Sequence, residues 1–255
     1  FQVRTGERIG ICGRTGSGKS SLFQVLFRLR SHVGTVRIGG ADIRQLEVSS
    51  LRSSMAIIPQ RPILISGTLR QNIDIDHEHS DAQIFEVLKK VGLDRRFAML
   101  PNGLNTELAN AAKKKANEQD ETPSKPFTLT STQGSDDLFS VGEKQLICFA
   151  RALLKKSRII ALDEASAFLD YHTAAQIEEI IFSLPSTVTV LFIAHRMMSI
   201  RRCDRILVFD HGSLVESGSP DELSGNIHGL YRSLLEAEQL NQIGGAQHHE
   251  DAELP

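Results

Sequence analysis

The stretch that decides the fold is Gly13-Arg14-Thr15-Gly16-Ser17-Gly18-Lys19-Ser20. An apolar strand candidate, Arg8 to Cys12, precedes it, and a helical pattern from Ser20 to Leu29 follows. In this context the glycines let backbone N–H groups turn inward around a phosphate, and the helix N-terminus adds positive potential. Lys19 can reach the β- and γ-phosphates of a nucleotide, while Ser20 can place its hydroxyl on Mg²⁺. A chance glycine-rich turn would explain neither the lysine nor the hydroxyl.

The composition is that of an ordinary soluble core. The chain has 255 residues, 40% of them hydrophobic, and a formal net charge of −2. This charge balance argues against a nucleic-acid partner held by a basic surface. No run of about 18 apolar residues is present, so we predict no direct membrane insertion, and no signal peptide is apparent. The three cysteines are odd in number and far apart, which predicts reduced, buried thiols rather than a zinc or disulfide framework.

Strand-like runs alternate with helical patterns along most of the chain. This alternation predicts an α/β fold, a P-loop NTPase core with a mainly parallel sheet, a small antiparallel β portion and a helical subdomain over about residues 80–155. We predict one domain over residues 1–240, with its N-terminal strand upstream of Phe1 in a longer protein. Residues 109–137 have few large apolar side chains and are predicted to form a flexible insertion. Residues 241–255 are predicted to be a disordered tail after a last helix over 230–240.

A second apolar strand ends in two carboxylates. Residues 158–162 are Arg-Ile-Ile-Ala-Leu, and Asp163 and Glu164 follow them. Acidic groups at the end of a buried strand are costly unless they face a cation or a donor. With the phosphate loop upstream, the pattern predicts that Asp163 reaches Mg²⁺ and that Glu164 polarises an attacking water. Taken alone, it would fit a surface turn after a core strand equally well.

Five further segments follow in a fixed order, and they are Ile57-Ile58-Pro59-Gln60, Ser66-Gly67-Thr68-Leu69-Arg70-Gln71-Asn72-Ile73, Phe139-Ser140-Val141-Gly142-Glu143-Lys144-Gln145, Ala167-Phe168-Leu169-Asp170 and Ile193-Ala194-His195-Arg196. With the phosphate loop and the acidic strand, they resemble the nucleotide-binding domain of ATP-binding cassette (ABC) transporters over about residues 1–235, apart from the insertion. The run from Gly13 to Leu22, the string from Pro59 to Asn72 and the Ser-Val-Gly of residues 140–142 look like the C subfamily, the multidrug-resistance-associated type. They look most like its second nucleotide-binding domain, in which a glutamate follows the aspartate of the Walker B strand, as Glu164 follows Asp163 here.

The resemblance implies a role for each matching position. Gln60 would touch Mg²⁺ and water, His195 would contact the γ-phosphate, and Asp170 would lie in the loop that crosses a dimer interface. The nucleotide-contacting loop would run from Gly13 through Ser21. The signature residues would meet the nucleotide of a partner cassette, and they are Ser140, Val141, Gly142 and Glu143. Each residue alone also fits a plain structural role: Gln60 a turn, His195 a strand end, and Ser140 a helix N-cap.

The family pattern implies an ATPase that binds ATP and Mg²⁺ and pairs head-to-tail with a second nucleotide-binding domain. It would serve transmembrane domains of the same transporter at the cytoplasmic face of a membrane. One alternative is a nucleotide-sensing cassette of a channel or receptor complex, in which binding matters more than turnover. Another is a soluble ABC ATPase acting on ribosomes or DNA ends, which the exporter-like string from Ser66 to Ile73 and the absence of heptads in 109–137 disfavour.

Three features depart from the family pattern. Phe139 stands where the signature usually opens with Leu, and Glu143 stands where it usually closes with Gln. The negative charge of Glu143 should weaken closure on a γ-phosphate unless Lys144 offsets it. The aromatic residue that stacks on adenine in this family would precede Phe1.

Overall fold

The computed structural model describes residues 1–108, 138–167, 169–194 and 196–250, and the backbone alone for 241–250. The chain divides into two compact units. The first, which we call the core unit, is made of residues 1–60, 157–167 and 178–255. The second, which we call the helical unit, is made of residues 61–156 and 168–177. The predicted helical subdomain of residues 80–155 falls within the second unit.

The core unit is built on a six-stranded sheet. Its elements, in chain order, are β1 (Arg8–Gly13), α1 (Lys19–Leu26), β2 (Arg37–Ile38), β3 (Ala41–Asp42), α2 (Val48–Ser53) and β4 (Met55–Ile58). In the helical unit the chain forms β5 (Gly67–Thr68), α3 (Leu69–Ile73), α4 (Asp81–Lys90), α5 (Asp94–Ala98), a 3₁₀ turn (Gly103–Asn105), β6 (Glu107–Leu108) and α6 (Val141–Leu154). It then continues through β7 (Ile159–Asp163), α7 (Tyr171–Phe182), β8 (Thr189–Ile193), α8 (Met197–Ile200), β9 (Arg205–Asp210), β10 (Ser213–Gly218), α9 (Pro220–Gly225) and α10 (Leu230–Glu250).

The order of strands in the large sheet is β10-β9-β1-β8-β7-β4. All neighbours are parallel except β10, which forms an antiparallel hairpin with β9. Strands buried on both faces need continuous apolar runs, and β8 is buried at each of its five positions. The predicted α/β P-loop core with a mainly parallel sheet is confirmed. Because β1 lies between β8 and β9, the loop that follows its carboxyl end lies near the middle of the sheet.

One apolar cluster holds the core unit together by removing hydrocarbon surface from water. It joins residues from α1 and α2 to the inner strands, and its buried members are Ile9, Ile11, Phe23, Phe27, Ile43, Leu51, Met55, Ala161, Leu191, Ile193, Leu207 and Phe209. Cys12 and Cys203 are also buried in this unit, and Cys148 is buried in the helical unit. Both faces of β1 are therefore fixed by packing, which places the loop after Gly13 on a rigid strand.

Helices α3, α4 and α6 of the helical unit begin at side-chain caps. Ser80 caps α4 by accepting a hydrogen bond from the Gln83 N–H, and Gln83 returns one to the Ser80 N–H. Asp81, also a capping residue type, is the first helical residue of α4, because the Ser-x-x-Gln box starting at Ser80 satisfies two N–H groups at once. Within this unit α6 packs against α3 and α4.

Two helix ends differ from the sequence-based prediction. Helix α1 ends at Leu26 rather than Leu29, because Arg28 takes a left-handed φ of 50° that breaks the helix. Helix α10 continues to Glu250, whereas we predicted a disordered tail from Asn241. A helix that is already nucleated gains about one backbone hydrogen bond for each residue that it adds, and this propagation carries α10 past Gly244 and Gly245. The predicted insertion 109–137 and residues 251–255 lie outside the described residues.

Among the helices that the structure describes, none has the length and apolar character needed to cross a membrane.

Candidate nucleotide-binding site

The loop between β1 and α1 is shaped by glycines in the left-handed region. Gly13, Gly16 and Gly18 have φ values of 143°, 81° and 96°. A Cβ on Gly13 would lie 2.0 Å from the carbonyl oxygen of Phe209 and 2.9 Å from Ser17 Oγ. Only glycine fits there, since both the backbone conformation and the close approach of β9 exclude a side chain. Arg14, Thr15 and Gly16 form the exposed crown of the loop.

Lys19 folds back over this loop. Its side chain is almost fully buried, and its Nζ donates hydrogen bonds to the carbonyl oxygens of Gly13 at 2.8 Å and Arg14 at 3.0 Å. The hydroxyl of Ser17 is buried and has no hydrogen-bond partner within the described residues. An ammonium group and an unsatisfied hydroxyl within one glycine-rich loop fit a phosphate group, whose oxygens accept from both. Ser21, the next predicted loop contact, is exposed in the first turn of α1.

A hydroxyl and a carboxylate meet at the end of the loop. Ser20 Oγ donates a hydrogen bond of 2.9 Å to Oδ1 of Asp163, the last residue of β7. The two residues are 143 positions apart in sequence, and the parallel order β1-β8-β7 brings the carboxyl ends of their strands to one edge. Oxygen ligands of this kind are those that Mg²⁺ takes in phosphoryl-transfer sites. The pair therefore fits the ion predicted here.

Gln60 and Glu164 form a second pair at the same sheet edge. Gln60 Nε2 donates a hydrogen bond of 2.6 Å to Glu164 Oε2. Glu164 has a left-handed φ of 52°, uncommon for a residue with a side chain, and its N–H donates to the carbonyl oxygen of Ile193 on β8. The turn directs the chain away from β7 immediately after Asp163. Four of the predicted residues thus form two hydrogen-bonded pairs, Ser20 with Asp163 and Gln60 with Glu164. The two pairs are neighbours because Asp163 and Glu164 are consecutive in the chain.

His195 lies outside the described residues, so its contact with a γ-phosphate stays a prediction. The residues on either side of it are fixed. The N–H of Ala194 donates to the carbonyl oxygen of Ile11 at 3.3 Å, and the N–H of Met197 donates to Glu238 Oε2 at 2.6 Å.

The signature segment forms the start of α6 in the helical unit. Ser140 is the N-cap: its Oγ accepts from the Glu143 N–H at 3.1 Å, and its own N–H donates to Glu143 Oε2 at 2.8 Å. Ser140 and Val141 are exposed, and Gly142 is half-buried with room for a Cβ 3.4 Å from Thr173. Glu143 is thus the acidic partner of a capping box, a structural role beyond the contact with a nucleotide that the family resemblance implies for it.

The cation beside Glu143 is Arg96, a residue that sequence reasoning missed. Arg96 Nε lies 3.2 Å from Glu143 Oε1 in an ion pair. The compensation of Glu143 by Lys144, the next residue of α6, stays a prediction. No spacing rule connects Arg96 to the signature 47 positions later, so the contact follows only from the fold.

Asp170, predicted to lie at a dimer interface, caps α7. Its Oδ1 accepts a hydrogen bond of 2.9 Å from the Thr173 N–H, and this bond holds the pKa of the exposed carboxyl below its ordinary value. The carboxylate therefore stays charged at neutral pH. Phe168 lies outside the described residues.

The fold and these contacts define a P-loop nucleotide-binding cassette. A family model described as "ABC transporter" matches residues 1–167, and the chain belongs to this family.

Similar curated proteins include "ATP-binding cassette sub-family C member 10" of Mus musculus, 39% identical over 96% of this chain. They also include "ABC transporter C family member 8" of Dictyostelium discoideum, 41% identical over 92% of the chain, and "Probable multidrug resistance-associated protein lethal(2)03659" of Drosophila melanogaster, 40% identical over 88%. The chain spans 13–15% of the length of these three relatives. The resemblance to the C subfamily is thereby confirmed.

Among solved structures, "Structure of a bacterial Atm1-family ABC exporter with ATP bound" is similar to this chain with a TM-score of 0.78. The two are 31% identical, and the match covers 94% of this chain and 38% of the exporter chain.

Proposed function

We propose that this cassette binds and hydrolyses ATP to drive export, by pairing head-to-tail with a second nucleotide-binding domain. It would work at the cytoplasmic face of a membrane, coupled to transmembrane domains of the same transporter. The observation that carries the proposal is the meeting of Ser20 with Asp163 and of Gln60 with Glu164 at the carboxyl edge of one sheet. The whole-transporter parts of the proposal are supported by the C-subfamily relatives.

The residues of the core unit divide the chemistry between them. Lys19 exchanges its loop carbonyls for β- and γ-phosphate oxygens, and the N–H groups of the loop hold the same phosphates. Ser20 and Asp163 would hold Mg²⁺, which would neutralise negative charge on the phosphates. Glu164 orients a water and accepts its proton, while Gln60 fixes the carboxylate of Glu164 through its amide. His195 would contact the γ-phosphate.

The residues of the signature serve a different nucleotide. Ser140, Val141 and Gly142 stand at the exposed N-terminus of α6, whose dipole and N–H groups favour an anion. We assign them to the ATP held by the phosphate loop of the partner cassette. Hydrolysis would release the pair, because the paired state binds ATP more tightly than the products. As in a second domain of the C subfamily, this phosphate loop would belong to the competent site.

The test is Glu164→Gln in the full-length transporter. The amide keeps the shape of the side chain but cannot accept a proton, so ATP turnover should fall by about 10²- to 10⁴-fold. ATP binding, measured by retention of labelled nucleotide, should persist. Glu86→Gln, which alters an exposed residue of α4 that forms an i,i+4 ion pair with Lys90, is the matched control.

Undiminished turnover by Glu164→Gln would contradict hydrolysis at this site. If channel current or receptor output still followed ATP while turnover was unchanged, the nucleotide-sensing alternative would replace the motor.

A further inference from the structure

Arg96 in α5 makes three contacts with the segment that begins α6. Its Nη2 donates a hydrogen bond of 2.8 Å to the carbonyl oxygen of Leu138, and its Nε lies 3.2 Å from Glu143 Oε1. Its Cζ stands 5.6 Å from the ring centroid of Phe139, within reach of a cation–π interaction. All of these residues belong to the helical unit. One guanidinium group therefore contacts the backbone, the aromatic ring and the carboxylate of the signature.

Two of these contacts fall on the positions where the signature departs from its family pattern. Phe139 replaces the usual Leu and is almost fully buried, with its ring stacked on Phe97 at a centroid distance of 5.6 Å. Glu143 replaces the usual Gln. A planar guanidinium can lie against a ring and donate along its edge to a carboxylate, which the compact ammonium group of lysine cannot do in the same way. The two departures thus have a common partner.

The charge of Glu143 would otherwise oppose the proposed function. Its carboxylate lies in the first turn of α6, where Ser140 and the free N–H groups are assigned to a phosphate of the partner site. A carboxylate there repels an incoming polyanion. The ion pair with Arg96 sets the summed charge of the two side chains to zero, and the hydrogen bond to Leu138 fixes the backbone that leads into Ser140.

We infer that Arg96 is a positioning residue of the signature, which neutralises Glu143 and holds the start of α6 so that this variant signature can close on ATP. Arg96 acts through Glu143 and Phe139 and does not itself touch the nucleotide. The inference rests on the proposed pairing function. It makes the departure at Glu143 one half of an ion pair rather than a defect of the signature.

The experiment is a double-mutant cycle in the full-length transporter. The variants are Arg96→Ala, Glu143→Gln and the two together, with Arg95→Ala as the matched control because Arg95 is the exposed neighbour on the same helix. The readout is the ATP concentration that gives half-maximal retention of labelled nucleotide. An unneutralised carboxylate should raise this concentration about fivefold in Arg96→Ala, the effect of about 1 kcal/mol.

Rescue decides between positioning and a merely structural role. Glu143→Gln in the Arg96→Ala background should restore the half-maximal ATP concentration to within about twofold of the wild-type value. Glu143→Gln alone should change this concentration little. In both variants the negative charge of the Glu143 carboxylate is absent. Arg96→Lys should be intermediate, since the charge remains but the stacking geometry is lost. An equal loss in Arg96→Ala with and without Glu143→Gln would overturn the inference, and so would an unchanged value in Arg96→Ala.

Failure of the proposed function gives a different result. If the wild type retains no nucleotide with increasing ATP, the pairing proposal fails. Thermal unfolding of the same variants then still tests the ion pair between Arg96 and Glu143. Losses of Tm that are not additive in the double variant support coupling between the two residues. Additive losses overturn the inference.

Discussion

Asp74 is a buried carboxylate that organises the chain between α3 and α4. It is only 3% exposed, and its oxygens accept from the N–H groups of Glu78 at 3.3 Å and His79 at 3.0 Å. Its Oδ1 also lies 2.9 Å from His79 Nδ1. Burial by itself would raise the pKa of Asp74, but the hydrogen bonds from His79 and Glu78 lower that pKa below the ordinary 3.8. A depressed pKa means that folding favours the charged form.

The pH dependence follows from that sign. Asp74 contributes stability above its unfolded pKa of 3.8, and this contribution is lost as the pH falls through the lower folded value. Asp74→Asn should therefore lower the free energy of unfolding by about 2 kcal/mol at pH 7, the scale of hydrogen bonds to a charged group. Below pH 3.8 the difference from wild type should narrow.

Urea unfolding at pH 7 and pH 3 measures this effect. Glu78→Gln, an exposed change in the same turn, serves as the control and should leave the stability within about 0.5 kcal/mol. A difference between Asp74→Asn and wild type that stays constant with pH would show that the carboxylate charge is not involved.

Single residues of the site differ in how far sequence predicts them. Lys19, Ser20 and Asp163 follow from phosphate and metal chemistry, because a strand, a turn and a helix in that order leave few other uses for them. Arg96 could not be found in this way, since its contact with Glu143 is made by the tertiary structure and not by any local spacing. The capping role of Glu143 could have been predicted from the Ser-x-x-Glu pattern of residues 140–143, whereas the family resemblance predicts only an effect of its charge.

Among the elements, α10 is held by glutamates at two points. Glu216 of β10 accepts hydrogen bonds from the N–H groups of Leu230 and Tyr231 at the start of the helix. Two turns further on, Glu238 Oε2 accepts from the N–H of Met197 at 2.6 Å. Met197 is the first residue of α8. This helix comes shortly after the carboxyl end of β8, which lies at the same edge of the sheet as the phosphate loop. The last helix is therefore tied to the segment beside residue 195.

Removing the second tie should loosen both elements. Glu238→Ala leaves the Met197 N–H without its acceptor, so the free energy of unfolding should fall by about 1–2 kcal/mol. Hydrogen exchange at the Met197 amide should accelerate by about tenfold or more.

The control is Glu236→Ala on the same helix. Glu236 is exposed and forms an i,i+4 ion pair with Arg232, so its loss should cost less than about 0.5 kcal/mol. Equal effects of the two substitutions on Met197 exchange would contradict a specific tie from Glu238.

Element type was predictable from periodicity, whereas element ends were less so. The strand Met55–Ile58 coincides with a short apolar run of the sequence, which admits few alternatives. The end of α10 was placed ten residues early, since sequence composition suggested disorder where helix propagation continues. Ser80 and Asp81 are both residue types that cap helices, and the structure shows that Ser80 is the one that reaches the N3 amide of α4.

At the scale of the whole molecule, alternation of strands and helices predicted a mainly parallel sheet but not its order. The position of β1 between β8 and β9 depends on long crossovers and on packing across the core unit, which no local pattern encodes. That order is what brings Ser20 to Asp163 across β8. The division into two compact units was likewise invisible at Gln60 and Arg61, where the sequence shows no linker composition.

The three cysteines allow the two units to be followed separately. Cys12 and Cys203 lie in the core unit and Cys148 in the helical unit, and each is at most 5% exposed. Burial raises the pKa of Cys12 and of Cys203 to about 12 and also raises the pKa of Cys148. The thiolate is the reactive form, so modification at pH 8 requires local or global opening.

ATP should protect the cysteines unequally. The phosphate loop belongs to the core unit, so MgATP at about 100 times its Kd should slow modification of Cys12 and Cys203 by about a hundredfold. Cys148 should be protected less, because its modification also follows openings of the helical unit that leave the phosphate loop folded. Mass spectrometry of each peptide after timed alkylation measures the three rates. Lys19→Ala should abolish the ATP effect, and equal protection of all three thiols would instead mean that the two units open as one.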